Sequence, residues 1–169
     1  MALTTFSGPV KSKNGFLNTG AGAFLLVSAP IALTTKEHAG RIIGINDADC
    51  AITLPTIKSA LTASADEDFD IGAVFKIFIY QTAATGITIT ANAANTMMGQ
   101  VLIHKTDTAS KSWLPAASNK VITLNGGTKG GLTGSYLEIT AVYGSSLTAN
   151  WLVNGDLLTT ATAVTPFSD

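Results

Sequence analysis

The sequence predicts an all-β protein, an antiparallel β-sandwich of jelly-roll-like form preceded by an extended N-terminal arm. Three observations lead there. Short runs of β-branched and aromatic residues recur through residues 23–169, several of them alternating apolar with hydroxylic side chains. Clusters of Gly, Pro, Asn and Asp punctuate those runs. No stretch carries the strand–helix–strand alternation of a doubly wound parallel sheet.

The first 22 residues stand apart from the rest. Pro9 and the glycines of Gly8-Pro9, Asn14-Gly15 and Gly20-Ala21-Gly22 exclude a long helix. Such a segment is either a solvated terminus or a docking arm. A solvated tail has little use for Phe6, Val10, Phe16 and Leu17, so residues 1–22 read as an arm that plugs another surface, with Lys11 and Lys13 adding positive charge. Residues 23–169 form the sandwich domain.

Within that domain Phe24–Val27 is a short strand that stops before Pro30. Glycines bound a second strand at Gly40–Ile45, and Asn46-Asp47-Ala48-Asp49 is a turn. Cys50–Leu54 is a strand ended by Pro55, which cannot donate to a central ladder. Thr56–Ala65 is the one plausible helix, about two turns long by its apolar spacing. Ile71–Gln81 reads as a central strand buried on both faces. Ile87–Thr90 alternates cleanly, and Met97–Ile103 is a further strand. His104–Asn119 reads as irregular. Val121–Leu124, Tyr136–Tyr143 and Asn150–Val153 complete the strands, the last ending at the tight-turn pair Asn154-Gly155. Asp156–Asp169 is expected to be extended. No exact internal repeat is present, which argues against propeller and solenoid folds.

Composition narrows the function. With 46% hydrophobic and 12% charged residues the chain is not disordered, and 169 residues can bury a proper core. A net charge of −1 leaves little repulsion between copies, which suits a protein packed against others. Ten Lys and Arg against eleven Asp and Glu give no basic excess for phosphates, so no nucleic acid partner is expected. The longest apolar-looking stretch, Ala21–Leu33, is broken by Ser28 and Pro30 and is too short for a bilayer, so no membrane partner is expected either. The opening Met-Ala-Leu-Thr-Thr-Phe lacks the regions of a secretory signal, and use without export is the expectation.

Catalytic and metal chemistry finds little support. Cys50 is alone, which rules out an intrachain disulfide and reads as a small buried hydrophobe. His38 lies in the polar Lys36-Glu37-His38 and reads as exposed, and His104 ends a strand beside Lys105; neither has a zinc-ligand pattern around it. Counting leaves a Ser-His-Asp triad open, but no Gly-x-Ser-x-Gly elbow is present. Gly126–Gly131 has the wrong order for a phosphate loop and reads as a hairpin loop. The acidic cluster Asp66-Glu67-Asp68-Phe69-Asp70 reads as a solvated loop, with a calcium site or paired glycosidase carboxylates as lesser readings. The expectation is therefore a protein that is not an enzyme, with no cofactor, no metal and no catalytic residues.

The arm sequence Thr5-Phe6-Ser7-Gly8-Pro9-Val10-Lys11-Ser12-Lys13-Asn14-Gly15-Phe16 resembles the opening of small head proteins of tailed bacteriophages, particularly those of marine and cyanobacterial hosts. Ile52–Pro55, Gly72–Ile77, Gly86–Thr90 and Asn150–Gly155 are similar to segments of phage head decoration and fibre proteins. The resemblance implies a decoration, or cement, protein. Such proteins are compact β-sandwiches that form homotrimers on the outer capsid surface of the virion and lock neighbouring shell subunits against the pressure of packaged DNA. It further implies synthesis in the host cytoplasm and the major capsid protein as partner. Phe6, Val10, Phe16 and Leu17 would lie across that protein, and Lys11 and Lys13 would meet its carboxylates. The rival reading is a receptor- or carbohydrate-binding module of a phage fibre. Its aromatic platforms would be Trp113, open between loop packing and surface contact, and Trp151, which reads as core.

Overall fold

The apolar rows of the strands fall on two sheets that share one core. The computed structural model describes residues 23–57, 70–105, 108–144 and 148–169. In chain order the elements are β1 (Phe24–Val27), β2 (Ile31–Ala32), α1 (Thr35–His38), β3 (Ile42–Ile45), β4 (Ala51–Thr53), β5 (Val74–Ile79) and β6 (Ile87–Thr90). Then come β7 (Met97–Lys105), β8 (Thr108–Trp113), β9 (Val121–Leu124), β10 (Tyr136–Tyr143), β11 (Ala149–Thr159) and β12 (Phe167–Ser168). The larger sheet has seven strands in the order β1-β3-β5-β10-β11-β7-β8, and the smaller has five in the order β12-β9-β6-β4-β2. The inward residues of both belong to one hydrophobic cluster. The result is a sandwich-like, mostly β fold.

From β1 to β6 the chain alternates between the sheets. β1, β3 and β5 enter the larger sheet and β2, β4 and β6 the smaller, each parallel to the strand before it in that sheet. Like residues stack as in the rungs of a solenoid. Leu25, Ile43 and Ile77 form one inward row, and Val27, Ile45 and Ile79 another. Across the smaller sheet Ile31, Ile52, Ile89, Ile122 and Phe167 line up in register. β10 and β9 then cover the last rung, antiparallel to β5 and β6.

Several expectations are corrected here. The sheets are mixed, not antiparallel: of the ten described pairings, β1/β3, β3/β5, β2/β4, β4/β6 and β7/β11 are parallel. A jelly roll joins antiparallel Greek keys, and this winding is a different arrangement. The argument against a solenoid fails for the first half of the chain, because the rungs are unequal. Phe24 meets Ile42, but Ile42 meets the much more distant Lys76, so no fixed period exists to be found.

Individual elements differ as well. Residues Val74–Ile79 bury one face and leave the other half-covered. The segment read as irregular contains β8, paired antiparallel with β7. β11 continues straight through Asn154-Gly155, because Gly155 serves close packing and not a turn: a Cβ there would lie 2.4 Å from the Tyr136 carbonyl oxygen. Most of the expected helix over Thr56–Ala65 lies outside the described residues, and Thr56 and Ile57 are not helical. The described helical turn is α1, capped by the Thr34 hydroxyl, which accepts from the Glu37 N–H. That turn also corrects the reading of His38. It is buried, with Nδ1 accepting from the Thr34 N–H at 2.9 Å.

Candidate functional site

The outward side chains of the larger sheet divide it into an apolar end and a polar end. At the apolar end one row runs Phe24–Ile42–Lys76–Glu138, and the next runs Leu26–Gly44–Phe78–Tyr136. Phe24 (40% exposed), Leu26 (48%) and Ile42 (41%) therefore share a face, and Tyr80, just beyond β5, is 54% exposed. The Phe24 ring lies over Gly44, where a Cβ would approach it to 2.3 Å. A glycine in β3 thus leaves room for the far end of the ring. Beside it, burial first and the Glu138 carboxylate second push the Tyr136 hydroxyl up from its ordinary pKa.

This apolar face ends at β1, the last strand of the larger sheet among the described residues. Ile42 N–H donates to the Ala23 carbonyl at 2.9 Å, and Asn46 N–H to the Val27 carbonyl at 2.7 Å. Backbone alternation then turns the N–H and C=O groups of Phe24 and Leu26 away from β3, to a side where no described strand pairs. Leu25 and Ile31 are only half-buried, whereas Ile43 and Ile52 one rung on are fully buried. The arm residues Phe6, Val10, Lys11, Lys13, Phe16 and Leu17 lie outside the described residues. The chain enters the described part at Ala23, beside this edge.

At the polar end three strands bring a distant carboxylate to two residues six apart in sequence. His104 on β7 lies 2.8 Å from Ser110 Oγ on β8 through Nδ1, and 2.8 Å from Asp156 Oδ1 on β11 through Nε2. A carboxylate only accepts, so in the neutral ring Nε2–H donates to Asp156 and Nδ1 accepts from the Ser110 hydroxyl. This is the hydroxyl–imidazole–carboxylate order that counting alone left open. The parallel register of β7 with β11 creates it, and that register is invisible in the sequence. The Asp156 side chain is 68% exposed, and none of the three residues lines the cavity beside Met97 and Leu114 or the one beside Lys105 and Lys111. With its carboxylate in water, the trio is arranged as a clasp across three strands.

The remaining sequence candidates sit as follows. Asn125 Oδ1 accepts from the N–H groups of Gly127, Thr128 and Lys129 at 3.1, 2.9 and 2.8 Å. The glycine loop thus directs its amides at its own side chain, where a phosphate loop would direct them at an anion. Of the acidic cluster, residues 66–69 lie outside the described residues. Asp70 is buried and accepts from the Thr35 hydroxyl at 2.6 Å. Among the described residues no group of three His, Cys, Asp or Glu side chains could hold a metal ion. Cys50 is fully buried, and burial pushes its thiol up to about 11, with Asp47 adding to the effect. Trp151 is fully buried, and Trp113 packs against the core opposite Val101. Comparison of the chain with protein-family models, with curated proteins and with solved structures gives no match.

Proposed function

We propose that this protein is a non-enzymatic structural component of a virus particle, a decoration protein that binds the outer surface of a bacteriophage major capsid protein. The observation that carries the reading is the exposed apolar face of Phe24, Leu26 and Ile42, beside the point where residues 1–22 join the body. Contiguous exposed apolar surface marks interaction sites, and this one is continuous with an arm whose sequence resembles the openings of phage head proteins. Low net charge lets copies pack closely, and a homotrimer is the assembly that the resemblance implies. The arm, through Phe6, Val10, Phe16 and Leu17 with Lys11 and Lys13, extends the contact across the shell. Each bound copy bridges capsid subunits and favours the assembled shell by mass action.

The fibre alternative has less to stand on, since its two tryptophans serve the core. Co-sedimentation with bare capsid shells tests the proposal, comparing the full chain with one lacking residues 1–22. Stoichiometric binding that is lost on truncation is the expected result. A full chain that ignores shells and binds cell-surface glycans instead overturns it.

A further inference from the structure

The last strand of a sheet presents backbone groups to one side, and proteins that stay apart blunt such strands with charge, proline, irregular register or short length. Among the described residues three of the four terminal strands are blunted in this way. β8 carries Lys111 and pairs with β7 through a register shift between Ile103 and Lys105. β2 and β12 have two residues each and directly follow Pro30 and Pro166. β1 differs. Its four residues, Phe24-Leu25-Leu26-Val27, include no charge and no proline, and they pair with β3 without a shift.

The backbone of β1 is arranged for a strand on its other side. The carbonyls of Ala23 and Val27 accept from Ile42 and Asn46, so the N–H and C=O groups of Phe24 and Leu26 point away from β3, where no described strand pairs. Side-chain alternation sends Phe24 and Leu26 to the outer face and Leu25 and Val27 to the inner. A second β1 running antiparallel meets both conditions at once. With Phe24 opposite Leu26 of a second copy, that pair exchanges both of its backbone bonds and its symmetry mate does the same. Leu25 then lies against Leu25 of the second copy on a two-fold axis. Outer side chains meet outer ones and inner meet inner. Leu25 is only half-buried within one copy, whereas its β3 partner Ile43 is fully buried, and the pairing covers it. With no charge on the strand, two copies meet there without repulsion.

We propose that two copies of the chain pair antiparallel through β1 about a two-fold axis, joining their larger sheets into one continuous sheet. The outward Phe24, Leu26 and Ile42 of both copies then form one apolar strip across the axis. The pairing does not depend on what that strip binds. A two-fold contact also adds to a three-fold one without replacing it.

Sedimentation equilibrium from micromolar to near-millimolar protein tests the pairing, together with amide hydrogen exchange at Phe24 and Leu26 in the wild type and a Leu26→Pro variant. Proline there removes only a donor that faces away from β3, so β1 keeps its own bonds. The expected wild-type results are a doubling of mass with concentration and exchange at Phe24 and Leu26 that slows in step with it. In the variant the dissociation constant should rise by about tenfold or more. Leu137 and Ile139, central in the larger sheet, should exchange equally slowly in both proteins and so report that the variant is folded. Constant mass over the whole range overturns the proposal. Protection at Phe24 and Leu26 that is independent of concentration also overturns it, because another part of the same chain then occupies the edge. A doubling that Leu26→Pro leaves unchanged does so too, since the contact then lies elsewhere.

Discussion

The Trp151 indole packs against the Phe75 ring with centroids 5.7 Å apart and planes tilted by 59°. The two side chains project inward from β11 and β5, on either side of β10. On β10, Ala141 lies opposite Trp151 and Ile139 opposite Phe75. The small Ala141 leaves space in the central strand for the large indole, so three neighbouring strands share one packing unit.

That unit sets the first prediction. Trp151 is fully buried, and its Nε1 has no hydrogen-bond partner among the described residues. Trp151→Ala should destabilise the protein by about 3–5 kcal/mol in urea unfolding, from lost burial plus the cavity left behind. Trp151→Phe should cost less than half of that, since it keeps most of the ring and removes an unpaired donor. Equal losses in the two variants would mean that the indole N–H is satisfied after all.

Gly155 carries the second. Its position in β11 lies against the β10 backbone, where a Cβ would come within 2.4 Å of the Tyr136 oxygen and 2.7 Å of Leu137 Cδ2. Backbone yields less readily than a side chain end, so Gly155→Ala should destabilise by about 3 kcal/mol or more. Gly86→Ala makes a suitable control, because its Cβ would meet nothing closer than Thr123 Cγ2 at 3.9 Å. Thermal unfolding of the two variants should separate them clearly.

Gly155 also shows where local sequence signals stop. Strands such as β6 and β10 were legible because their alternation is local, and the turns around them use residues with local reasons to turn. Asn154-Gly155 looks like such a turn, yet its glycine answers to a carbonyl on another strand. The parallel winding of β1–β6 is equally non-local. It depends on Ile42 finding both Phe24 and Lys76 across loops of unequal length. For the site, Phe24-Leu25-Leu26-Val27 offers no polar residue to tell the outer face from the inner, so the exposed patch could not be read. His104 and Asp156 meet only through the β7–β11 register. His38 was a different kind of miss, since Thr34 and Glu37 carry a local capping signal that places the imidazole over its own helical turn.

Cys50 gives the third prediction. Its thiol is fully buried, donates to the Ala29 carbonyl at 3.3 Å, and is pushed up to about 11 chiefly by burial. At pH 8 the thiolate is then a fraction of about one in a thousand, and thiolate is the reactive form. A disulfide reagent should leave the folded protein unlabelled over hours and modify one thiol per chain once denaturant is added. Rapid labelling without denaturant would mean that the β2–β4 end opens readily.

Asp49 ties two rungs together and makes stability depend on pH. It lies in the turn before β4, and its Oδ1 accepts from the Thr85 hydroxyl, from Thr85 N–H at 3.0 Å and from Gly86 N–H at 3.1 Å, just before β6. These bonds, the Thr85 hydroxyl foremost, hold its carboxyl below the ordinary 3.8. A folded value below the unfolded one means the stabilisation is present above the unfolded value and is lost as pH falls through the folded one. Asp49→Asn keeps an oxygen acceptor but removes the charge. The variant should therefore melt below the wild type at neutral pH, and the gap should close as the pH drops below 3.8. Asp169, held low by Ser118 and Asn119, titrates in the same direction in both proteins and cancels from the difference. A gap that stays constant down to about pH 2 would show that shape, and not charge, is what the carboxylate contributes to the clamp.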